Sequence, residues 1–142
     1  MKSCLRNDNR MVHPVFEQLH GGDAVVTGIK GLLLPEEAQY LMESANGKFA
    51  RSTVTGDSGE SHQDDARTSS TAFLEKAQDE VISCIEHRLS TIAQHPKTHL
   101  EPLQVTDYQG RKREQYKYHH DYFDTRKDGK PDRTTTIFAY LH

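Results

Sequence analysis

The 142-residue chain has no tryptophan, only two cysteines, only five prolines and no long apolar run, and each shortage excludes something. Cys4 and Cys84 are too few for a disulfide framework and lack metal-type spacing, so burial or incidental exposure is expected of each. No stretch approaches the roughly 18 consecutive apolar residues of a membrane span. The first residues, MKSCLRNDNRMVHPVFEQLH, lack the apolar segment of a secretory signal. As written, the chain is therefore expected in the cytoplasm. Neither sign of charge dominates: a net charge of −3 supplies no basic field for nucleic acid and no repulsion strong enough to hold the chain open.

What is present suits one modest domain. Apolar residues make up 34% of the chain, enough for a small core, and a domain of this length buries about 68–70% of the surface its unfolded chain exposes. Residues 1–22 mix charged and polar groups and end in Gly-Gly, which predicts a flexible leader ahead of a folded part over 23–142. Ala24 to Ile29 is short and β-branched, hence a strand. Pro35, Glu36 and Glu37 suit a helix start, because the missing proline N–H costs nothing there and acids favour the helix dipole. Ala38, Leu41, Met42 and Ala45 then recur at helical spacing, with Gly47 as the stop.

Residues 51–70 are polar and nearly free of large apolar side chains, and read as a long loop. Val81, Ile82, Ile85, Leu89 and Ile92 write a second helix, closed by His95-Pro96. Three strand-like runs follow, EPLQVTDY, QYKYHHDYF and RTTTIFAYL, the last two joined by the turn-rich DTRKDGKPD. Helices come first and strands later.

On a strand, Lys117, His119 and Asp121 share one face, and Tyr116, Tyr118, His120 and Tyr122 the other. An imidazole and a carboxylate on one face are two of the three ligands of a 2-His-1-carboxylate site on non-haem Fe(II). His-x-Asp alone also describes ordinary solvated strand residues. His120 is expected to face away, and Arg111, Lys112 and Arg113 read as a solvated turn.

Taken in order, the segments LLLPEEAQYLMESA, FARSTV, ARTSSTAFL, DEVISCIEHRLSTIA, EPLQVTDY, QYKYHHDYFD and RTTTIFAYL resemble the prolyl 4-hydroxylase alpha-subunit-like family of Fe(II)- and 2-oxoglutarate-dependent dioxygenases. The resemblance spans roughly Ala24 to Leu141. It implies a double-stranded β-helix, or jelly roll, supported by the N-terminal helices, so the expected class is α+β. It also implies hydroxylation of peptidyl proline with O₂, release of succinate and CO₂, and use of Fe(II), 2-oxoglutarate and L-ascorbate. His119 and Asp121 match the first two metal ligands. Tyr108 and Tyr140 match phenols that contact 2-oxoglutarate, and Arg67 matches a residue ordering the loop over the peptide groove. The resemblance implies the endoplasmic reticulum as the alternative location.

The sequence departs from the family at two places. Tyr108 to Tyr116 spans eight residues where the family places six, an expansion at QGRKRE. The family's second His lies roughly fifty residues after His-x-Asp and a basic 2-oxoglutarate anchor about ten further, whereas 21 residues follow Asp121. The expectation is a partial β-helix missing its C-terminal strands. A truncated, non-catalytic fragment or interaction module stands as the alternative to an enzyme, and an unrelated domain with an incidental His-x-Asp ranks third.

Overall fold

Two amphipathic helices pack on one face of a small antiparallel sheet, in the order the apolar spacing predicts. The computed structural model describes residues 14–21, 25–56, 59–122 and 132–141. Residues 1–13 and 22 of the leader, including Cys4, the turn expected over 124–131 and His142 lie outside the described residues.

Helix α1 runs Pro35–Ala45. Its N-terminus is closed by Glu37, whose Oε2 accepts the Leu34 N–H at 3.0 Å; Leu34 has no side-chain acceptor, so only this half of a capping box forms. Its C-terminus is released by Gly47, whose φ of +74° is the left-handed conformation glycine adopts without strain. Helix α2 runs Glu80–Ala93, capped by the Asp79 carboxylate, which accepts the Ile82 N–H at 2.9 Å. Asp79 also accepts from the Tyr40 hydroxyl at 2.9 Å, tying the start of α2 to α1.

Strands β3 (Ala50–Arg51), β6 (Ser70–Phe73) and β7 (Gln104–Asp107) form the central sheet in the order β3-β6-β7, with Ala72 opposite Val105 and Thr71 opposite Thr106. Alternation along β6 turns Ala72 inward, and Leu74 beyond it, against Leu41 and Ala45 of α1 and Ile82 and Ile85 of α2. Thr71 and Phe73 take the other face, where Phe73 is exposed. A bidentate ion pair fastens the helices together: Arg88 donates to Glu37 at 2.6 and 2.9 Å and to the Leu32 carbonyl at 3.0 Å. Among the described residues the architecture is thus α+β, with short antiparallel pairings and no closed β-helix.

Several sequence expectations change here. Val15–His20, assigned to the leader, forms strand β1 and pairs with β2 (Val26–Lys30) in an exposed antiparallel hairpin. The long loop over 51–70 contains its own small hairpin, β4 (Val54–Thr55) with β5 (Ser61–His62), because Gly56 and Glu60 close a tight turn between them. Cys84, for which burial or incidental exposure was expected, is buried and is not a free thiol.

The strands expected over QYKYHHDYF and RTTTIFAYL are absent among the described residues. The first begins to pair, with a single antiparallel bridge between Tyr116 and Arg67, then leaves the sheet. His119 and His120 each engage a backbone carbonyl two residues away, closing local turns that compete with a ladder. A strand needs a neighbouring strand to satisfy its backbone, and residues 132–141 take no regular secondary structure. They are anchored instead by Arg133, which donates to Glu101 at 2.7 and 3.0 Å, and by Leu141 against the core.

Candidate metal site

His119 and Asp121 come together even though the strand that was to align them is missing. His119 Nε2 lies 3.5 Å from Asp121 Oδ1, and each side chain is about one-third exposed (38% and 34%). Nδ1 of the same imidazole lies 2.7 Å from the Lys117 carbonyl. A carbonyl oxygen only accepts, so Nδ1 carries the hydrogen, and Nε2 of the neutral ring carries the lone pair. That lone pair is on the nitrogen nearest the carboxylate. The other carboxylate oxygen accepts from the Thr136 hydroxyl at 2.5 Å, which fixes the orientation of Asp121.

This donor set fits a divalent metal on two counts. Its chemistry is right: a neutral imidazole nitrogen beside a carboxylate oxygen, each oriented by a hydrogen bond at its far atom, is the pattern metal ligands use. Its spacing is close: adjacent ligands about 2.1 Å from a shared ion stand about 3 Å apart, within about half an ångström of the observed 3.5 Å. Among the described residues no group of three His, Cys, Asp or Glu side chains converges. Among the described residues the structure therefore presents two neighbouring donor groups, His119 and Asp121.

Around the pair the side chains form a column. The Tyr116 ring stacks on the His119 imidazole, with centroids 3.6 Å apart and planes 21° from parallel. The Arg67 guanidinium sits over the Tyr116 ring, 4.9 Å from its centroid. Burial pushes the Tyr116 phenol above its ordinary pKa; the Arg67 charge opposes this, and the Asp121 charge adds to it. Arg67 is pinned in turn, donating to the Thr53 carbonyl at 3.0 Å and to Thr71 Oγ1 at 3.3 Å. It also lines an open groove of about 450 Å³ with Lys48, Arg51, Ser52, Thr53 and Phe73. His120 stacks on Tyr122, with ring centroids 4.0 Å apart.

The two tyrosines expected at the co-substrate are placed differently from each other. Tyr108 follows β7 at 38% exposure, within electrostatic reach of the Tyr116 phenol. Tyr140 is 85% exposed, and its ring meets Phe138 edge-on at 5.2 Å.

Three plant proteins of Arabidopsis thaliana are similar to this chain over most of its length. A probable prolyl 4-hydroxylase 6 is 36% identical over 116 residues, which is 79% of this chain and 40% of that protein. Prolyl 4-hydroxylase 2 is 37% identical over 115 residues, covering 79% and 38%. A probable prolyl 4-hydroxylase 10 is 39% identical over 115 residues, covering 77% and 38%. The chain is prolyl 4-hydroxylase-like. No protein-family model matches it. It spans about two-fifths of the length of the curated relatives it matches.

Within this prolyl 4-hydroxylase-like chain, two neighbours of the pair were missed by sequence reasoning. Tyr116 was assigned to the face opposite His119, because strand alternation was assumed. Off a strand, a spacing of three residues brings the rings together. Thr136 belongs to the terminal segment, and nothing local to RTTTIFAYL marks it as a partner of Asp121. Only the return of that segment along the molecule brings the two side chains together.

Proposed function

We propose that this chain carries part of the active site of an Fe(II)- and 2-oxoglutarate-dependent dioxygenase that hydroxylates peptidyl proline. The single observation that carries the reading is the oriented pair, His119 Nε2 facing Asp121 Oδ1 at 3.5 Å, in a chain whose relatives are prolyl 4-hydroxylases. When bound, iron would supply the activation of O₂ that turns 2-oxoglutarate into succinate and CO₂ and leaves the substrate hydroxylated, with L-ascorbate keeping the metal reduced.

His119 and Asp121 would hold the metal. The Lys117 carbonyl keeps the proton on Nδ1 and leaves Nε2 to ligate, while Thr136 holds the carboxylate. The Tyr108 and Tyr140 phenols would donate to 2-oxoglutarate. A proline-containing peptide would lie in the groove that Arg67 borders. The fold this function requires is the double-stranded β-helix, of which β6, β7 and the segments at 116–122 and 132–141 would be members.

The test is titration of this chain with Fe(II), followed by incubation with 2-oxoglutarate and a proline-rich peptide to read succinate and hydroxyproline, with His119→Ala and Asp121→Ala beside it. Metal binding that both substitutions abolish is the expected result. Equal binding by His119→Ala removes the site assignment.

A second reading, an interaction module, is favoured by the β1–β2 hairpin. Val15, Phe16 and Leu19 of β1 are all more than half exposed, and an apolar strand pair of this kind is a template for further pairing. Concentration-dependent self-association or capture of an extended peptide, abolished by Phe16→Glu and accompanied by no succinate formation, would favour this reading.

A further inference from the structure

We infer that Tyr116 is a positioning residue for the His119 imidazole and that Arg67 is its anchor to the sheet, an inference that rests on His119 being a metal ligand. A histidine on an irregular, partly exposed segment has two side-chain torsions to fix before its Nε2 can meet an ion. Two contacts fix them here. The Nδ1–H bond to the Lys117 carbonyl sets which nitrogen faces Asp121, and the face-on Tyr116 ring at 3.6 Å sets the ring plane.

Tyr116 can do this only if it is itself held. Its backbone bridges to Arg67, and its ring lies beneath the Arg67 guanidinium. The guanidinium ends on Thr71 Oγ1, which belongs to a buried hydroxyl network: Thr71 Oγ1 to Ser52 Oγ at 2.6 Å, and Ser52 Oγ to Ser69 Oγ at 2.9 Å. All three hydroxyl residues are at most 5% exposed. The column therefore runs from a rigid sheet through Arg67 and Tyr116 to the imidazole, and it replaces the strand ladder that would otherwise align a His-x-Asp pair.

The expected behaviour separates stacking from the phenol. Tyr116→Phe keeps the ring and is expected to bind Co(II), used as an oxygen-stable probe, within about twofold of the native chain. Tyr116→Leu removes the ring, and Arg67→Met removes the cation while keeping a stem; each is expected to weaken Co(II) binding by about tenfold, the lower end of what loss of an outer-sphere partner does. A second readout needs no metal. In the metal-free chain the His119 ring protons are shifted by the Tyr116 ring current, a shift that Tyr116→Phe retains and Tyr116→Leu abolishes.

Unchanged Co(II) affinity in both Tyr116→Leu and Arg67→Met overturns the positioning role, and so does a His119 resonance that is the same in Tyr116→Leu as in the native chain. Should Tyr116→Leu fail to fold by circular dichroism, Arg67→Met and Tyr116→Phe still decide it. If the native chain binds Co(II) no better than His119→Ala, the metal reading fails; the His119 spectrum then still reports on the stack.

Discussion

Arg88→Met tests how the helical layer is held. In the native chain the Glu37 carboxylate is 1% exposed and receives two N–H donors from Arg88 and one from the Leu34 backbone. Removing the guanidinium strands a carboxylate that water cannot reach. Breaking a buried pair on one side costs about 3–5 kcal/mol, against about 0–1 kcal/mol for an exposed pair. Set against a total stability of about 5–15 kcal/mol for a domain of ordinary stability, this is a large fraction. With a urea m-value of about 2 kcal/mol/M, the unfolding midpoint should fall by about 2 M. The chain has no tryptophan, so the assay is the far-ultraviolet circular dichroism of the helices. Replacing both partners, Glu37→Met with Arg88→Met, removes both charges and should recover most of the loss. A midpoint shift below about 0.5 M in the single variant would refute the argument. A double variant as unstable as the single would show that lost packing, and not the stranded charge, is the cause.

Asp79→Ala should destabilise the chain by about 1 kcal/mol at neutral pH, through loss of the α2 cap. Burial alone would raise the Asp79 pKa, but hydrogen bonds from the Ile82 N–H, Tyr40, Gln78 and the Val81 N–H outweigh it and hold the carboxyl below its ordinary value. A carboxyl lowered in the folded state stabilises above its unfolded pKa and loses that contribution as pH falls through the folded value. The gap between native and Asp79→Ala urea midpoints should therefore narrow below about pH 4, and a gap that widens there would contradict the assignment. Ser52→Ala leaves the Ser69 and Thr71 hydroxyls short of a partner inside the sheet and should cost about 1–3 kcal/mol; a change under about 0.5 kcal/mol would mean that they re-pair. Gly47→Ala meets no atom within 4 Å, so any loss is conformational, about 1 kcal/mol from the left-handed backbone alone. A larger loss in a thermal melt would mean that α1 ends differently.

Much of the helical layer was legible in the sequence. Pro35 with its following acids, the apolar recurrence from Ala38 to Ala45, and the run from Val81 to Ile92 each signal their helix locally, because helix hydrogen bonds and side-chain periodicity involve residues three or four apart. Strand β7 was readable for a similar reason, its β-branched Val105 facing the core. The proximity of His119 and Asp121 was also readable, since residues two apart in sequence stay close whether or not a strand forms.

The arrangement around that pair was not readable. A strand is defined by its partner, and the sequence from Tyr116 to Tyr122 has strand composition yet finds a single bridge, so the faces inferred from alternation did not apply. Glu37 and Arg88 lie 51 residues apart, and Asp121 and Thr136 lie 15 apart; neither spacing carries a periodic signal. Residue types and local spacing determined the two helices and strand β7, and which side chains carry donor atoms. Packing of the terminal segment and of Arg67 decided which of those side chains meet, because such contacts depend on chain closure over distances that no local pattern records.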